Sequence, residues 1–334
     1  MMLKSPKALR DGIMARLLFS KLKHTLVDKG FLSILSNTLY LWFGTRARTD
    51  RLMPLLKQVT TPMVFIIDEF LSLNSINLKE LSLLGPIIYV SQDLAYKRFG
   101  FGDSVITKNL MFRLEQDAIV NFNLVVACSE MERLKYIEMG AKNVIFYPNI
   151  YPTKNFKPCD KDEIPSISIV LRGHWGSKAK QSLETILKAL ACMNSQLRVY
   201  LIGIKPNKIP KNIILKHIEF IPHKLDYLKL LSLSWIGINV GIHMAGTNER
   251  KYDYAEAGIV VLSDQFGSRG ELLPHEYTYV DNHDLAAKIG QLMQFGKENL
   301  EAMGKKNRNY VLFLANKERQ NILDKIDKLF FNVK

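Results

Sequence analysis

Short apolar runs rich in β-branched residues recur along this chain, separated by longer stretches with helical spacing. Ile167, Ile169, Val170 and Leu171 form one such run, a pattern that suits a parallel strand buried on both faces. The run stops at the two-glycine turn Arg172-Gly173-His174-Trp175-Gly176. Leu183, Ile186, Leu187 and Leu190 then fall on one side of a helix. Comparable strands are predicted at 63–67, 86–90, 124–127 and 144–146, and again at 167–171, 198–202, 218–221, 236–240 and 259–263. Helices are predicted at 110–120, 131–139, 179–193, 224–233, 248–257, 283–295 and 315–331. Strands alternating with helices predict an α/β protein with parallel sheets and right-handed crossovers. Between the two series lies PNIYPTKNFKPCDKDEIP (148–165), whose four prolines and charge cluster predict a connection between domains.

The start of the chain has a different pattern. Met14, Leu18, Leu22 and Leu26 recur at every fourth position, with Arg16 and Lys23 opposite. This predicts a basic amphipathic helix that stops near Gly30, followed by an apolar helix over 31–43. Four regions result: a basic helical segment (1–60), a first domain (61–155), a second domain (165–312) and a terminal helix (313–334) that could cross back to the first domain.

Composition narrows the function classes. The 334 residues are 47% hydrophobic, which suits two folded domains and excludes global disorder. The three cysteines, Cys128, Cys159 and Cys192, include no CxxC pair, so no zinc site or disulfide framework is indicated. A reducing, cytoplasmic compartment is expected. The formal net charge is +14, and residues 1–60 contribute eleven Lys/Arg against three acids. A segment this basic can meet an anionic membrane surface, here through residues 1–45, or it can be a solvated or domain-packed face. A nucleic-acid partner is not expected, because no stacking aromatic array or recognised module accompanies the charge. No secretory signal is evident, and no apolar stretch approaches the roughly 20 residues of a membrane span.

A strand, a glycine-containing turn and a helix together make a place where backbone N–H groups and cations can hold a phosphate. Arg172 and Lys178 bring two positive charges to the turn after residue 171. Gly173 permits close backbone approach. His174 is a candidate for a donor or acceptor contact, or a structural loop histidine. Gly246 and Thr247 precede the 248–257 helix and could offer N–H groups to an anion, or simply cap that helix. Asp160-Lys161-Asp162 has the form of a metal-binding Asp-x-Asp but falls in the connection, away from any strand end, so no metal is expected. Asp68, Glu69, Asp93 and Glu130 fall at predicted C-terminal strand ends, where ligands meet open α/β sheets.

These residues resemble the GT-B glycosyltransferases, in particular the GT4-like group, over roughly residues 110–315. LEQDAIVNFNLVVACSE (114–130) and NVIFYPN (143–149) are similar to first-domain patterns of that group. Arg172 and Lys178 match its basic pair aimed at the donor diphosphate. KYDYAEAG (251–258) is similar to a helix start that places Asp253 where a Glu binds the ribose hydroxyls. Gly267 to Glu271 looks like its glycine-rich turn, with Glu271 a donor contact. The resemblance implies two Rossmann-like domains facing each other across a cleft, with the basic helical segment at the start. It implies metal-independent, retaining transfer from a nucleoside diphosphate sugar to a glycan or lipid-linked acceptor, with no cofactor. Two departures stand out. Ala245 replaces a Glu of the group, and Asp253 is one methylene shorter than the usual residue. They motivate an alternative: a nucleotide-binding or scaffold protein of the same fold without turnover.

Overall fold

A computed structural model describes residues 65–68, 78–91, 105–148, 150–153, 155–171, 176–241, 249–268 and 272–326, with Lys57 and Lys328. The two helices predicted over 1–43 lie outside these residues. The described residues form two compact units. One runs to Ala127 and includes Glu132–Ile145; the other comprises Cys128–Met131 and the chain from Phe146 onward.

The first unit holds β1 (Phe65–Asp68), α1 (Leu78–Leu84), β2 (Ile87–Val90), α2 (Val105–Ile119), β3 (Leu124–Ala127) and all but the terminal residues of α3 (Glu130–Glu138) and β4 (Val144–Phe146). The sheet order is β1-β2-β3-β4, with β2 parallel to both β1 and β3. Ile87, Tyr89, Leu124 and Val125 are fully buried, which is why each strand reads as an unbroken apolar run.

The second unit holds β5 (Ser166–Leu171), α4 (Gly176–Ala191), β6 (Leu197–Gly203), β7 (Ile213–Ile218), α5 (Lys224–Ser232), β8 (Ile236–Asn239), α6 (Glu249–Glu256), β9 (Val260–Asp264), β10 (Glu276–Tyr279), α7 (Asn282–Gln294) and α8 (Gly296–Ile326). Its six strands are all parallel, in the order β10-β9-β8-β5-β6-β7. The chain moves outward from β5 to β7, returns to the other side of β5, and moves outward again from β8 to β10. This is the doubly wound order, and its reversal lies between β5 and β8. Alternate residues of β5 serve opposite faces. Ile167, Ile169 and Leu171 pack with Leu183 and Ile186 of α4 and Leu285 and Ile289 of α7. Val170 packs with Leu228 of α5, Tyr254 of α6 and Val311 and Leu314 of α8.

Four expectations change. The strand predicted at 218–221 is β7, at 213–218. β7 is an edge strand, so Lys216 and His217 interrupt its apolar pattern, whereas the apolar Phe220 beyond it is 71% exposed. β10 and the short α1 were not predicted. The last helix begins at Gly296, about twenty residues earlier than the spacing suggests. Gly304 lies within it and reads as a break, yet it is a contact: a Cβ there would stand 2.0 Å from the Gly258 carbonyl oxygen.

The connecting segment is the fourth change, because it is packed into the second unit. Ile150 and Phe156 are buried in that unit's core. Arg308 of α8 lies over the Phe156 ring and donates to the Phe156 and Glu256 carbonyls, each at 2.6 Å. Asp162 accepts from Arg198 at 2.9 Å and Tyr200 at 2.5 Å, and Trp235 donates to its carbonyl. The Asp160-Lys161-Asp162 run therefore fastens the connection to the sheet. Lys161 is buried and donates to the carbonyls of Ser234 and Gly258. Among the described residues, no helix is long and apolar enough to cross a membrane.

Burial lowers the Lys161 pKa to about 8, opposed by the Glu301 charge and reinforced by Lys297. The free lysine in the unfolded chain titrates near 10.5. Between these values the unfolded chain holds a proton that the folded chain does not, so stability rises with pH across the window. Relative to Lys161→Met, the natural chain should gain about 2 kcal/mol between pH 7.5 and 9.5 in urea denaturation. A constant difference would show that the amine stays charged when folded.

Candidate functional site

In an open parallel sheet, ligands bind outside the carboxyl ends of the strands where the strand order reverses. In the second unit that place is the ends of β5 and β8. The paired register of these strands stops at Ile169 opposite Ile238. Beyond it, two side chains of α6 link the strands. The Val170 N–H donates to the Tyr254 hydroxyl at 3.1 Å, and that hydroxyl donates to the Ile238 carbonyl at 3.0 Å. Arg250 donates to the Val170 carbonyl at 3.0 Å and also to the Val240 carbonyl. Tyr254 is fully buried, and burial pushes its hydroxyl pKa well up, so it remains a protonated donor. Its ring lies against the backbone of Gly237, where any Cβ would stand 2.6 Å from ring carbons. Only glycine fits there, which explains a glycine in the middle of a buried strand.

The ends of β8 and β9 are tied in turn. Asp264, at the end of β9, accepts from the Gly241 N–H at 2.8 Å and the Gly267 N–H at 2.5 Å. Its pKa is raised by burial, and the two N–H bonds oppose that rise. Asn239 is buried and donates to Ser263 and to the Gly267 carbonyl. Lys251 and Glu276 form an ion pair at 3.3 Å whose side chains are both 0% exposed. Glu276 also accepts from Ser263 at 2.7 Å and from the Leu273 N–H at 3.2 Å. This pair joins α6 to β10 and steadies the turn that follows β9.

The sequence-predicted residues distribute as follows. Lys178 is exposed in the first turn of α4, a turn without an acidic residue. Asp253 is the fifth residue of α6, one turn in from the helix start. Its carboxylate lies 3.7 Å from the Lys224 ammonium, which is also 3.1 Å from Glu256. Arg172, Gly173, His174, Gly246, Thr247 and Glu271 lie outside the described residues. Their segments nevertheless have fixed places in the chain order: 172–175 joins β5 to α4, and 242–248 falls between the end of β8 and α6. The Glu271 segment, 269–271, follows the end of β9.

With the strand order established, the comparison with known structures is informative. The sucrose-phosphate synthase of Thermosynechococcus elongatus aligns with 13% identity and a TM-score of 0.61, over 89% of this chain and 79% of that one. An E. coli trehalose-6-phosphate enzyme bound with UDP-2-fluoro glucose aligns with 12% identity and a TM-score of 0.60, over 88% and 77%. The pneumococcal O-GlcNAc transferase GtfA, in complex with UDP and GlcNAc, aligns with 10% identity and a TM-score of 0.58, over 84% and 60%. The fold is GT-B. The sequence matches no protein-family model and no curated protein.

In GT-B terms, the second unit is the one in which the sequence places the donor loops. Arg250 and Tyr254 were missed by sequence reasoning, although Gly237 signalled a close approach to β8. In the first unit, Tyr136 donates to Glu115 at 2.9 Å and its hydroxyl is 2.7 Å from Ser91, with Glu132 at 3.5 Å from the same serine. All four residues are buried, and burial is the main cause of a raised Tyr136 pKa. This cluster sits beside the end of β2. Among the described residues, no group of three or more His, Cys, Asp or Glu side chains is gathered as a metal set.

Three substitutions test this framework. Tyr254→Phe deprives Val170 and Ile238 of a buried partner and should cost about 1–3 kcal/mol, read as a lower urea midpoint. Lys251→Met strands the Glu276 carboxylate and should cost about 3–5 kcal/mol. Adding Glu276→Leu should restore part of that loss in a thermal shift, because the uncompensated charge is then gone.

Proposed function

We propose that this chain is a glycosyltransferase, moving a sugar from a nucleoside diphosphate donor to a glycan or lipid-linked acceptor. The observation that carries the reading is the strand reversal between β5 and β8. The two segments that follow those strand ends hold Arg172, Gly173, His174, Gly246 and Thr247. The binding position of the fold and the phosphate-binding candidates of the sequence thus coincide in chain order. The neighbouring structures support the same chemistry: one is bound with UDP-2-fluoro glucose and another with UDP and GlcNAc.

Glycosyl transfer breaks the bond from the anomeric carbon to the diphosphate, so negative charge grows on the leaving phosphate while the sugar becomes cation-like. Arg172 supplies a forked donor and Lys178 a mobile point charge to that phosphate. A cation in the first turn of α4 faces the positive end of the helix, an arrangement favoured when an anion sits between them. Asp253 accepts from the ribose hydroxyls, with Lys224 orienting its carboxylate. Gly173, His174, Gly246, Thr247 and Glu271 complete the donor contacts. The reading includes metal-independent transfer with retention at the anomeric carbon. Its setting is the cytoplasm, peripheral to the inner face of a membrane through residues 1–45.

A second reading, nucleotide binding without turnover, is motivated by Ala245 and by Asp253, the two departures from the group's pattern. Calorimetry with uridine and guanosine diphosphates, followed by transfer assays with the matching sugar nucleotides, separates the two. Arg172→Ala and Lys178→Ala should each weaken nucleotide binding about 10- to 100-fold, the value of a charged hydrogen bond. Unchanged affinity removes these residues from the site. Binding without transfer to any acceptor or water selects the second reading.

A further inference from the structure

A groove of about 520 Å³ runs between α4 and the loop that follows β6. Leu183 and Leu187 of α4 and Ile204, Pro206 and Pro210 of the loop line its apolar part. Ile209 stands at its rim, 49% exposed. Four lysines also line it, Lys180 and Lys188 from the helix and Lys205 and Lys208 from the loop, against the single carboxylate of Glu184. All four are exposed. The groove belongs to the flank of the sheet that carries β6, whereas the candidate donor loops follow β5, β8 and β9.

An apolar trough open to water is unfavourable, and four exposed lysines along its walls attract an anion. One kind of ligand suits both: an apolar chain carrying an anionic head. The volume falls in the range of single small-molecule sites. An amphipathic helix, about 10–12 Å across and reading several turns of groove, needs more room. The lysine stems can lie along the apolar walls while their ammonium groups stay at the level of a phosphate.

We propose that this groove seats the acyl chain of an anionic membrane lipid, with the lipid phosphate among the four lysines, so that the second unit docks on an anionic bilayer. The proposal stands whether or not the chain transfers sugar, and it rests on none of the basic residues 1–60.

The test places a reporter at the rim of the groove in the full-length chain. Cys159 and Cys192 are exposed and Cys128 is buried, so Cys159→Ser and Cys192→Ser clear the surface and Ile209→Cys accepts an environment-sensitive NBD label. With phosphatidylglycerol vesicles the emission should shift to the blue and be quenched by lipids spin-labelled on the acyl chain. Phosphatidylcholine vesicles should give neither effect. Lys205→Gln with Lys208→Gln should weaken the response about 30-fold, the loss of two lysine–surface attractions, at an unchanged melting temperature. An unmoved NBD signal on phosphatidylglycerol vesicles that nonetheless sediment the protein would overturn the proposal, placing the contact elsewhere. So would a shift produced equally by glycerol phosphate, or one produced by an acidic amphipathic peptide and not by vesicles.

Discussion

Where a parallel sheet reverses its strand order, two neighbouring strands lead to loops that depart in opposite directions, and their last backbone groups lose their ladder partners. In this chain Tyr254 and Arg250 replace those partners. Buried N–H and carbonyl groups left unpaired are costly, and α6, lying across the reversal, supplies their partners. The two residues are four apart and therefore share a helix face. A helix of eight residues has little stability of its own. α6 persists through what its side chains reach: Tyr254 and Arg250 to β5 and β8, Lys251 to β10, and Glu256 to the connecting segment and Lys224.

The charges buried around α6 are costly to desolvate, and their value lies in direction. The side chains of Lys251 and Glu276 are sealed from water, and their pairing ties the start of β10 to α6. Lys161 is buried as well and donates to two carbonyl oxygens, and that burial lowers its pKa. Apolar contacts alone would tolerate small shifts of α6, because they are non-directional. Hydrogen-bonded ions do not, and a binding site needs its supporting side chains held to within about half an ångström.

The legibility of the fold follows burial. β5, β6, β8 and β9 are largely buried, so they stand out as mostly apolar runs broken only by single residues such as Ser168 and Arg198. β10 is concealed because Glu276, a residue that argues against a buried strand, is neutralised by Lys251 twenty-five residues earlier. β7 is concealed because an edge strand admits Lys216 and His217. In α8, Gly304 and Asn307 look like the end of a helix. Asn307 instead bridges the backbone at Ile259 and His275 through three hydrogen bonds. The candidate phosphate-binding residues are suggested by glycines and cations that cluster after an apolar run, and all but Lys178 and Asp253 of the named candidates lie outside the described residues. Arg250 and Tyr254 were not legible, because their role depends on which strands are adjacent. The strand order is a property of the folded sheet that local periodicity does not contain.

The contact between Gly304 and the Gly258 turn has a consequence for how the longest helix is seated. Most packed helices are located by interlocking side chains, which can be exchanged in compensating pairs. Here main chain rests on main chain, and neither partner has a side chain to trim. Sliding α8 along its axis by one residue would bring Lys305 or Met303 into a notch with room for a hydrogen atom. The helix is therefore indexed like a key, its phase set at this tooth and kept by the hydrogen bonds of Asn307 and Arg308 beside it.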